Sequence, residues 1–305
     1  MKTLMKTFLL GLLLTTAPLL AKADLNIFTC EPEWSALAME LGGDLVKASS
    51  ATNALQDPHY IQARPSLISK VRRADLIVCS GAELEIGWLP MLLRKGNNPG
   101  VLPGSDGFLE ASSFVRRLDV SGSTDRSQGD VHPQGNPHVQ TNPHNIRLVA
   151  EAMAGRMALL DPGNADTYQQ RLNDFTQRWN IAITAWEERA SGLRGKRVIA
   201  HHKSWVYLED WLGLQEVATL EAISGIPPTA THLSGLLNRF ADKSKADFII
   251  RAPFQSDKPS MWLSDRTGIP AILLPLTVGG TEGAVDLFSF FDDIIDRLLN
   301  AGGQP

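Results

Sequence analysis

Seven histidines are the residues of this sequence best suited to chemistry, because a neutral imidazole is a good ligand for Zn²⁺ and related metal ions. They are His59, His132, His138, His144, His201, His202 and His232. Three positions share a context. His59 follows Asp-Pro after a predicted strand, and His138 follows Asn-Pro before a predicted helix. The pair His201 and His202 ends another predicted strand. Ligand sites of parallel α/β sheets lie at the carboxyl ends of strands, so the pattern is compatible with a convergence of three imidazoles.

The other histidines have ordinary explanations. His144 and His232 fall in the first turns of predicted helices, where a capping or surface role is common. The sequence contains no H-E-x-x-H and no C-x-x-C. Any single one of the converging histidines is also compatible with a surface or capping role. The metal-site hypothesis therefore depends on the elements that would bring the three together.

Those elements form two similar halves. Short β-rich runs alternate with helical segments before residue 160 and again after residue 193, which is typical of small parallel sheets covered by helices. The prediction is an α/β fold with two lobes, each a small and mainly parallel sheet flanked by helices. One long, rigid helix is expected to connect them. The predicted bounds are 24–160 for the N-terminal lobe, 161–192 for the connecting helix and 193–305 for the C-terminal lobe.

The connecting helix is predicted from its periodicity. Its apolar residues recur at spacings of four, three, four, four and three, which is one face of a helix. They are Tyr168, Leu172, Phe175, Trp179, Ile183 and Trp186. Asp161 is expected to be the N-cap, Pro162 the first helical residue and Gly192 the stop.

Three further local predictions bear on the site. Asn142 is expected to cap a helix that reaches Leu160. A helix is expected at Glu83–Leu93, and a strand at Phe114–Val120. The rest of residues 96–137 is rich in Gly, Pro, Ser and Asp, and is expected to form loops.

The amino terminus predicts export. Two lysines precede an apolar run from Phe8 to Leu20, and Ala21-Lys22-Ala23 follows as a cleavage pattern. We therefore expect residues 1–23 to be a signal peptide that is cleaved after Ala23. Its loss removes three lysines and no acid, which takes the net charge from −4 to −7. No basic face is suggested, so a nucleic-acid partner is not expected.

Cys30 and Cys79 are the two cysteines, and each ends a β-rich run. Export makes a disulfide between them feasible. Two buried thiols explain the pattern equally well.

Several stretches resemble the zinc- and manganese-binding receptors of bacterial ABC importers, the ZnuA/TroA-like cluster A-I solute-binding proteins. The resemblance covers the whole chain after the signal in the same order. The matching stretches are residues 30–38, 41–44, 57–66, 74–85, 136–143, 202–208 and 225–229. They include Asp57-Pro-His-Tyr-Ile-Gln-Ala-Arg-Pro-Ser, Asn136-Pro-His-Val-Gln-Thr-Asn-Pro and His202-Lys-Ser-Trp-Val-Tyr-Leu.

The resemblance implies a periplasmic receptor that binds Zn²⁺ as its transported ligand and is not an enzyme. Its partners would be an ABC permease with its ATPase at the inner membrane, and a periplasmic metallochaperone is a further candidate. A monomer is expected. His59, His138 and His202 fall on the family's metal ligands, whereas His201 stands one place too early in the motif and is expected to be a neighbour.

Two departures from the family concern the site. Relatives commonly carry a long, acidic and His-rich loop before the second ligand, but the equivalent Ser121–Gly135 contains only His132. We therefore expect this loop to supply no ligand. The family's usual fourth ligand is an aspartate after the last strand, where Leu274–Gly280 contains no carboxylate. The candidates for the fourth position are, in order, water, Glu221, and then Glu282 and Asp286. Glu221 could instead pair with Arg251.

Two alternatives to a zinc receptor remain. Three histidines with an open fourth position could also serve a secreted zinc hydrolase, although no carboxylate adjoins a ligand motif as a general base. A manganese receptor of the same family is the other alternative, but Mn²⁺ prefers oxygen ligands.

Overall fold

The computed structural model describes residues 24–122, 125, 129–242 and 245–302. The predicted signal, residues 1–23, lies outside the described residues. None of the helices in the described part of the chain has both the length and the apolar content that a membrane span needs.

Two four-stranded parallel sheets form the framework of the molecule, and this confirms the predicted two-lobed α/β fold. The strands of the first are β1 Leu25–Thr29, β2 Val46–Ser50, β3 Leu76–Cys79 and β4 Phe108–Glu110. The strands of the second are β5 Arg197–Ala200, β6 Gln215–Thr219, β7 Phe248–Arg251 and β8 Ala271–Leu273. The spatial orders are β2-β1-β3-β4 and β6-β5-β7-β8, so the two sheets share one topology. Each strand order reverses beside the first strand of its sheet, which is where such folds place ligands.

Nine α-helices lie in the described residues. They are α1 Pro32–Gly42, α2 Pro65–Arg73, α3 Leu89–Gly96, α4 Pro143–Leu160, α5 Ala165–Arg189, α6 Val206–Leu212, α7 Ala230–Arg239, α8 Lys258–Thr267 and α9 Leu287–Gly302. The predicted bounds of α4 are confirmed, because the Asn142 side chain accepts a hydrogen bond from the backbone N–H of His144. The helix predicted at Glu83–Leu93 begins later, at Leu89, after a series of turns.

The predicted strand at Phe114–Val120 is wrong. The fourth strand of the first sheet is Phe108–Glu110, which pairs with β3, and the chain then makes a 3₁₀ turn at Ala111–Phe114. Because β4 already occupies the edge of β3, residues 114–120 do not pair with that strand. Period-two patterns in short segments do not show which of two neighbouring runs will find a partner.

The long helix α5 packs its predicted apolar face into the core, and all six residues of that face are buried. Its ends differ from the prediction. A 3₁₀ turn at Pro162–Asn164 precedes the α-helix, and another at Ala190–Leu193 follows it. The side chain of Asp161 does not cap either helix, since it accepts hydrogen bonds from Tyr168 Oη at 2.8 Å and from Asn164.

One hydrophobic cluster runs through both lobes along this helix. It includes Trp34 of α1 in the first lobe, Trp179 of α5, and Phe291 of α9 beside the second sheet. The rings of Trp179 and Trp186 lie 5.1 Å apart, and Phe291 lies 5.6 Å and 5.1 Å from them. Because the core is continuous, a rotation of one lobe against the other would have to break it.

Cys30 and Cys79 form a disulfide, with their Cα atoms 4.8 Å apart. This decides between the two alternatives that the sequence left open. The bond joins the residue after β1 to the last residue of β3. The strand order of the first sheet reverses between these two strands. It therefore fixes the base of the loops that lead to the cleft.

A buried carboxyl group also links the two lobes. Glu33 on α1 has no solvent exposure and accepts a hydrogen bond from the hydroxyl of Thr277, in the loop that follows β8. Burial raises the pKa of Glu33 from 4.5 to about 7, although the Thr277 hydroxyl acts in the opposite direction. The folded protein therefore retains a proton on Glu33 that the unfolded chain releases at a lower pH.

The raised pKa of Glu33 makes a prediction about stability. Between about pH 4.5 and 7 the folded protein loses stability relative to the unfolded chain as pH rises. Glu33 ionises in the unfolded chain over this range but stays protonated in the folded protein. Replacing Glu33 by glutamine keeps an acceptor for Thr277 and removes this penalty. Thermal unfolding of metal-free Glu33→Gln should therefore show a gain in Tm over the parent protein that is larger at about pH 8 than at about pH 5. The control is Glu151→Gln, which removes an exposed carboxylate. An equal shift at both pH values would contradict the assignment.

Candidate metal centre

Three histidine side chains meet between the lobes. His59, His138 and His202 are buried, and one ring nitrogen of each lies within 4.8 Å of those of the other two. Their ring centroids are separated by 5.7 Å, 5.7 Å and 6.4 Å. The structure thus brings together the three imidazoles that the sequence predicted to converge.

His59 is positioned by its own loop. The Asp57 carboxylate accepts hydrogen bonds from the backbone N–H of His59 at 3.0 Å and from its Nδ1 at 2.7 Å. Trp88 donates its indole N–H to the carbonyl of Pro58 at 2.8 Å, which fixes the residue before His59. Because Nδ1 is engaged with a carboxylate, the Nε2 lone pair is directed into the cleft.

His138 is positioned by a side chain two residues before it. Asn136 accepts a hydrogen bond from the backbone N–H of His138 at 3.1 Å and donates to the carbonyl of Lys203 at 2.7 Å. Tyr207 on α6 donates its hydroxyl to the carbonyl of Asn136 at 2.9 Å. Residues of the second lobe therefore hold the segment that carries His138.

The imidazole of His138 stands out electrostatically. Neither ring nitrogen has a hydrogen-bond partner among the described residues, although the side chain is buried. Burial lowers the pKa of His138 well below 6.5, and the neighbouring His59 and His202 add to the effect. A buried, neutral imidazole without a partner is a polar group that only a ligand or water can satisfy.

His202 lies at the carboxyl end of β5. Its Nδ1 is 2.7 Å from Glu221 Oε2, and the same oxygen accepts a hydrogen bond from the backbone N–H of Gly225 at 2.7 Å. As in His59, a carboxylate on Nδ1 leaves Nε2 available to an ion. A carboxylate behind a ligand histidine sets its tautomer and makes it a stronger base.

Glu221 lies on the cleft side after β6, as the sequence predicted. The alternative pairing with Arg251 does not form in the described residues, because the carboxylate is taken up by His202 and Gly225. His201 also lies near it, with Nε2 3.8 Å from Glu221 Oε1. His201 belongs to none of the groups of three or more ligand-type side chains found among the described residues.

The lower-ranked candidates lie in other surroundings. Asp286 accepts hydrogen bonds from the backbone N–H and the hydroxyl of Ser289, as expected of a cap at the start of α9. Glu282 is exposed. Cys30, Cys79 and Glu85 lie close enough for a metal site, but both sulfurs belong to the disulfide and are not free to bind.

His132 also lies beside His59, which its sequence context did not predict. Its Nε2 lies 3.2 Å from His59 Nε2, and its Nδ1 lies 3.2 Å from the carbonyl oxygen of Ala82. Burial lowers the pKa of His132 to about 4, and His59 contributes to the shift. The signal that could have found it is the retention of a single histidine in a loop otherwise made of turn-forming residues.

Comparisons with known proteins identify the family. The family model described as zinc-uptake complex component A, periplasmic, matches residues 27–301. The chain belongs to this family. It is therefore a substrate-binding protein of a metal ABC transporter and not an enzyme. The alternative of a secreted zinc hydrolase is wrong.

Two curated relatives and one solved structure illustrate the similarity. The metal ABC transporter substrate-binding lipoprotein ScbA of Streptococcus cristatus is 22% identical over 81% of this chain and 78% of its own length. The manganese ABC transporter substrate-binding lipoprotein PsaA of Streptococcus pneumoniae is 22% identical over 81% and 77%. The crystal structure of a zinc-bound ZnuA with residues 138–173 deleted has a TM-score of 0.77 at 22% identity. It covers 93% of this chain and 100% of its own.

The carboxylates behind His59 and His202 generate a prediction. Asp57→Asn and Glu221→Gln should each weaken metal binding by about 10–100-fold, the usual cost of losing such a partner. The loss should be smaller than that for His138→Ala, which removes an imidazole of the trio itself. Competition with a fluorescent chelator measures the affinities. A larger loss for Glu221→Gln than for His138→Ala would place the carboxylate on the ion.

Proposed function

We propose that this protein captures Zn²⁺ outside the cytoplasmic membrane and delivers it to an ABC importer, with His59, His138 and His202 as ligands. The observation that carries the proposal is the buried trio of imidazoles whose nitrogens lie within 4.8 Å of one another. Zn–N bonds of about 2.0–2.1 Å place two nitrogens of a tetrahedral site roughly 3.4 Å apart. A small inward movement of the three side chains is sufficient to reach that separation.

The ligand chemistry supports zinc over manganese. All three side chains of the trio offer nitrogen, and nitrogen sites bind Zn²⁺ more tightly than Mn²⁺, which prefers carboxylate and carbonyl oxygens. The two nearby carboxylates, Asp57 and Glu221, are engaged with Nδ1 atoms. From there they offset part of the charge of the ion without binding it.

Manganese is the second candidate, because several relatives carry that metal in their names. The same fold therefore serves receptors named for different ions. A switch to manganese in this chain would require oxygen ligands, and Glu221 is the carboxylate nearest to the trio through His202.

Capture in this proposal is a binding event without chemistry. The neutral imidazole of His138 needs no deprotonation near neutral pH, because its pKa lies far below. The trio replaces water around the ion. Since one core runs through both lobes along α5, loops and side chains close on the ion, with little rotation of the lobes.

The proposal includes the setting of the protein. Residues 1–23 would be removed, residues 24–160 and 193–305 would form the two lobes, and 161–192 would connect them. The receptor would act as a periplasmic monomer that docks on its permease, which works with an ATPase. A metallochaperone would be an additional source of the ion.

The export prediction can be checked directly. Expression of the full chain in a Gram-negative host should yield a periplasmic protein whose mass is that of a chain beginning at Asp24, because Ala21-Lys22-Ala23 matches the cleavage pattern. Intact-mass spectrometry measures this. Retention of the first 23 residues would contradict the assignment.

The metal assignment is tested by competition between the ions. Purified without a tag and exposed to equal Zn²⁺ and Mn²⁺, the protein should retain one zinc ion per chain and little manganese by elemental mass spectrometry. His202→Ala should lose the bound zinc, because it removes one of three imidazoles. The matched control is His201→Ala, the adjacent buried histidine, which should retain most of it. Preferential retention of manganese, or an equal loss in both variants, would overturn the assignment.

A further inference from the structure

A short segment spans the cleft beside the three histidines. This segment, Gly129–His132, is called the strap. Its backbone N–H at Asp130 donates to the carbonyl of Ser224 at 2.9 Å, in the loop that follows β6. On the other side, Tyr60 donates its hydroxyl to Asp130 Oδ1 at 2.8 Å. The strap is thus attached to the loops that carry His59 in the first lobe and Glu221 in the second.

Two glycines allow the strap to approach this closely. Gly129 has a φ of +93°, and a Cβ there would lie 2.1 Å from the carbonyl oxygen of Ser224. Gly225 has a φ of +79°, and a Cβ there would lie 2.1 Å from Asp130 Oδ2. Any other residue would be excluded from either position by strain and by contact. The backbone of the strap therefore lies in direct contact with the loop after β6 in the second lobe.

The last residue of the strap, His132, directs its Nε2 at His59 and lies outside the group of three whose nitrogens are all within 4.8 Å of one another. His132 Nδ1 faces the carbonyl oxygen of Ala82, which can only accept, so this nitrogen carries the proton. Nδ1 of His59 faces the Asp57 carboxylate and carries its proton for the same reason. The two Nε2 atoms are directed at each other, and they lie 3.2 Å apart.

Two Nε2 atoms that approach so closely share either a proton or a metal ion. A separation of 3.2 Å is close to the roughly 3.4 Å between two nitrogens bound to one tetrahedral zinc ion. Nδ1 of each ring is held by an oxygen, which is the arrangement that directs Nε2 toward a metal.

We propose that His132 is the fourth protein ligand, brought to the ion by the strap. The proposal rests on the proposed function, in which His59, His138 and His202 hold the same ion. It replaces the expectation that Ser121–Gly135 supplies no ligand, and it assigns the fourth position to an imidazole in place of water or Glu221. Glu221 keeps its hydrogen bond to His202 and stays off the ion.

The strap has a second consequence for the site. A cavity of about 420 Å³ lies against His59, Tyr60, Asp130 and His132. In this proposal an ion enters through this cavity, and His132 moves aside to let the ion reach His59. With His132 bound, the strap closes that side, so the fourth ligand and the closure of the site are one movement.

A crystal structure of the zinc-loaded, unaltered protein gives the first test. His132 Nε2 should lie about 2.0–2.1 Å from the ion, together with one nitrogen from each histidine of the trio. Zinc held by the trio with water or Glu221 in the fourth position would overturn this inference and leave the proposed function standing. Zinc bound elsewhere, or absent, would overturn the proposed function itself.

Affinity measurements give the second test. His132→Ala should weaken zinc binding by at least about tenfold, the lower end of the cost of losing a mere outer-shell partner. His144→Ala is the matched control, because it removes an exposed imidazole that pairs with Glu187. It should leave the affinity unchanged. An unchanged affinity in His132→Ala, beside a loss in His138→Ala, would show three protein ligands and refute the proposal for His132 alone.

Discussion

The structure depends on holding three imidazoles close together in a buried cleft, where a ring without hydrogen-bond partners is costly. His138 is the extreme case, since both of its ring nitrogens lack partners in the described part of the chain. Such a group costs free energy in the absence of a ligand. Other interactions have to offset that cost. The core along α5 and the disulfide stabilise the fold and contribute to this offset.

Charge is distributed around the cleft in layers. The imidazoles face the centre, and the carboxylates of Asp57 and Glu221 lie one hydrogen bond further out, each on an Nδ1 atom. This order matters, because a carboxylate placed directly on the ion would favour the harder metals that prefer oxygen. Placed behind a histidine, the same negative charge strengthens a nitrogen ligand.

Much of this could be predicted from the sequence. The period of the six apolar residues of α5, the capping role of Asn142 and the gathering of strand ends in parallel sheets favour the fold and a convergence of histidines. The choice of His59, His138 and His202, with His202 in place of His201, came from the resemblance to the family. The strand at Phe114–Val120 and the pairing of Glu221 with Arg251 failed for a common reason. Each required a choice between partners that only the assembled sheet makes. His132 was missed because its position depends on the contact between the strap and the loop after β6. Gly129 and Gly225, almost a hundred residues apart in sequence, allow this contact.

The hydrophobic cluster that the two lobes share has a thermodynamic consequence. A two-lobed receptor with separate cores would let each lobe unfold by itself, and an ion in the cleft would protect only the interface. Here one cluster is shared by both lobes, so we expect an ion bound to the folded form to stabilise the whole chain, by about 2.7 kcal/mol when its free concentration is a hundred times Kd. Metal-free molecules then open globally more often than loaded ones. Because proteolysis acts on the open form, we expect it to degrade the metal-free protein faster than the loaded one.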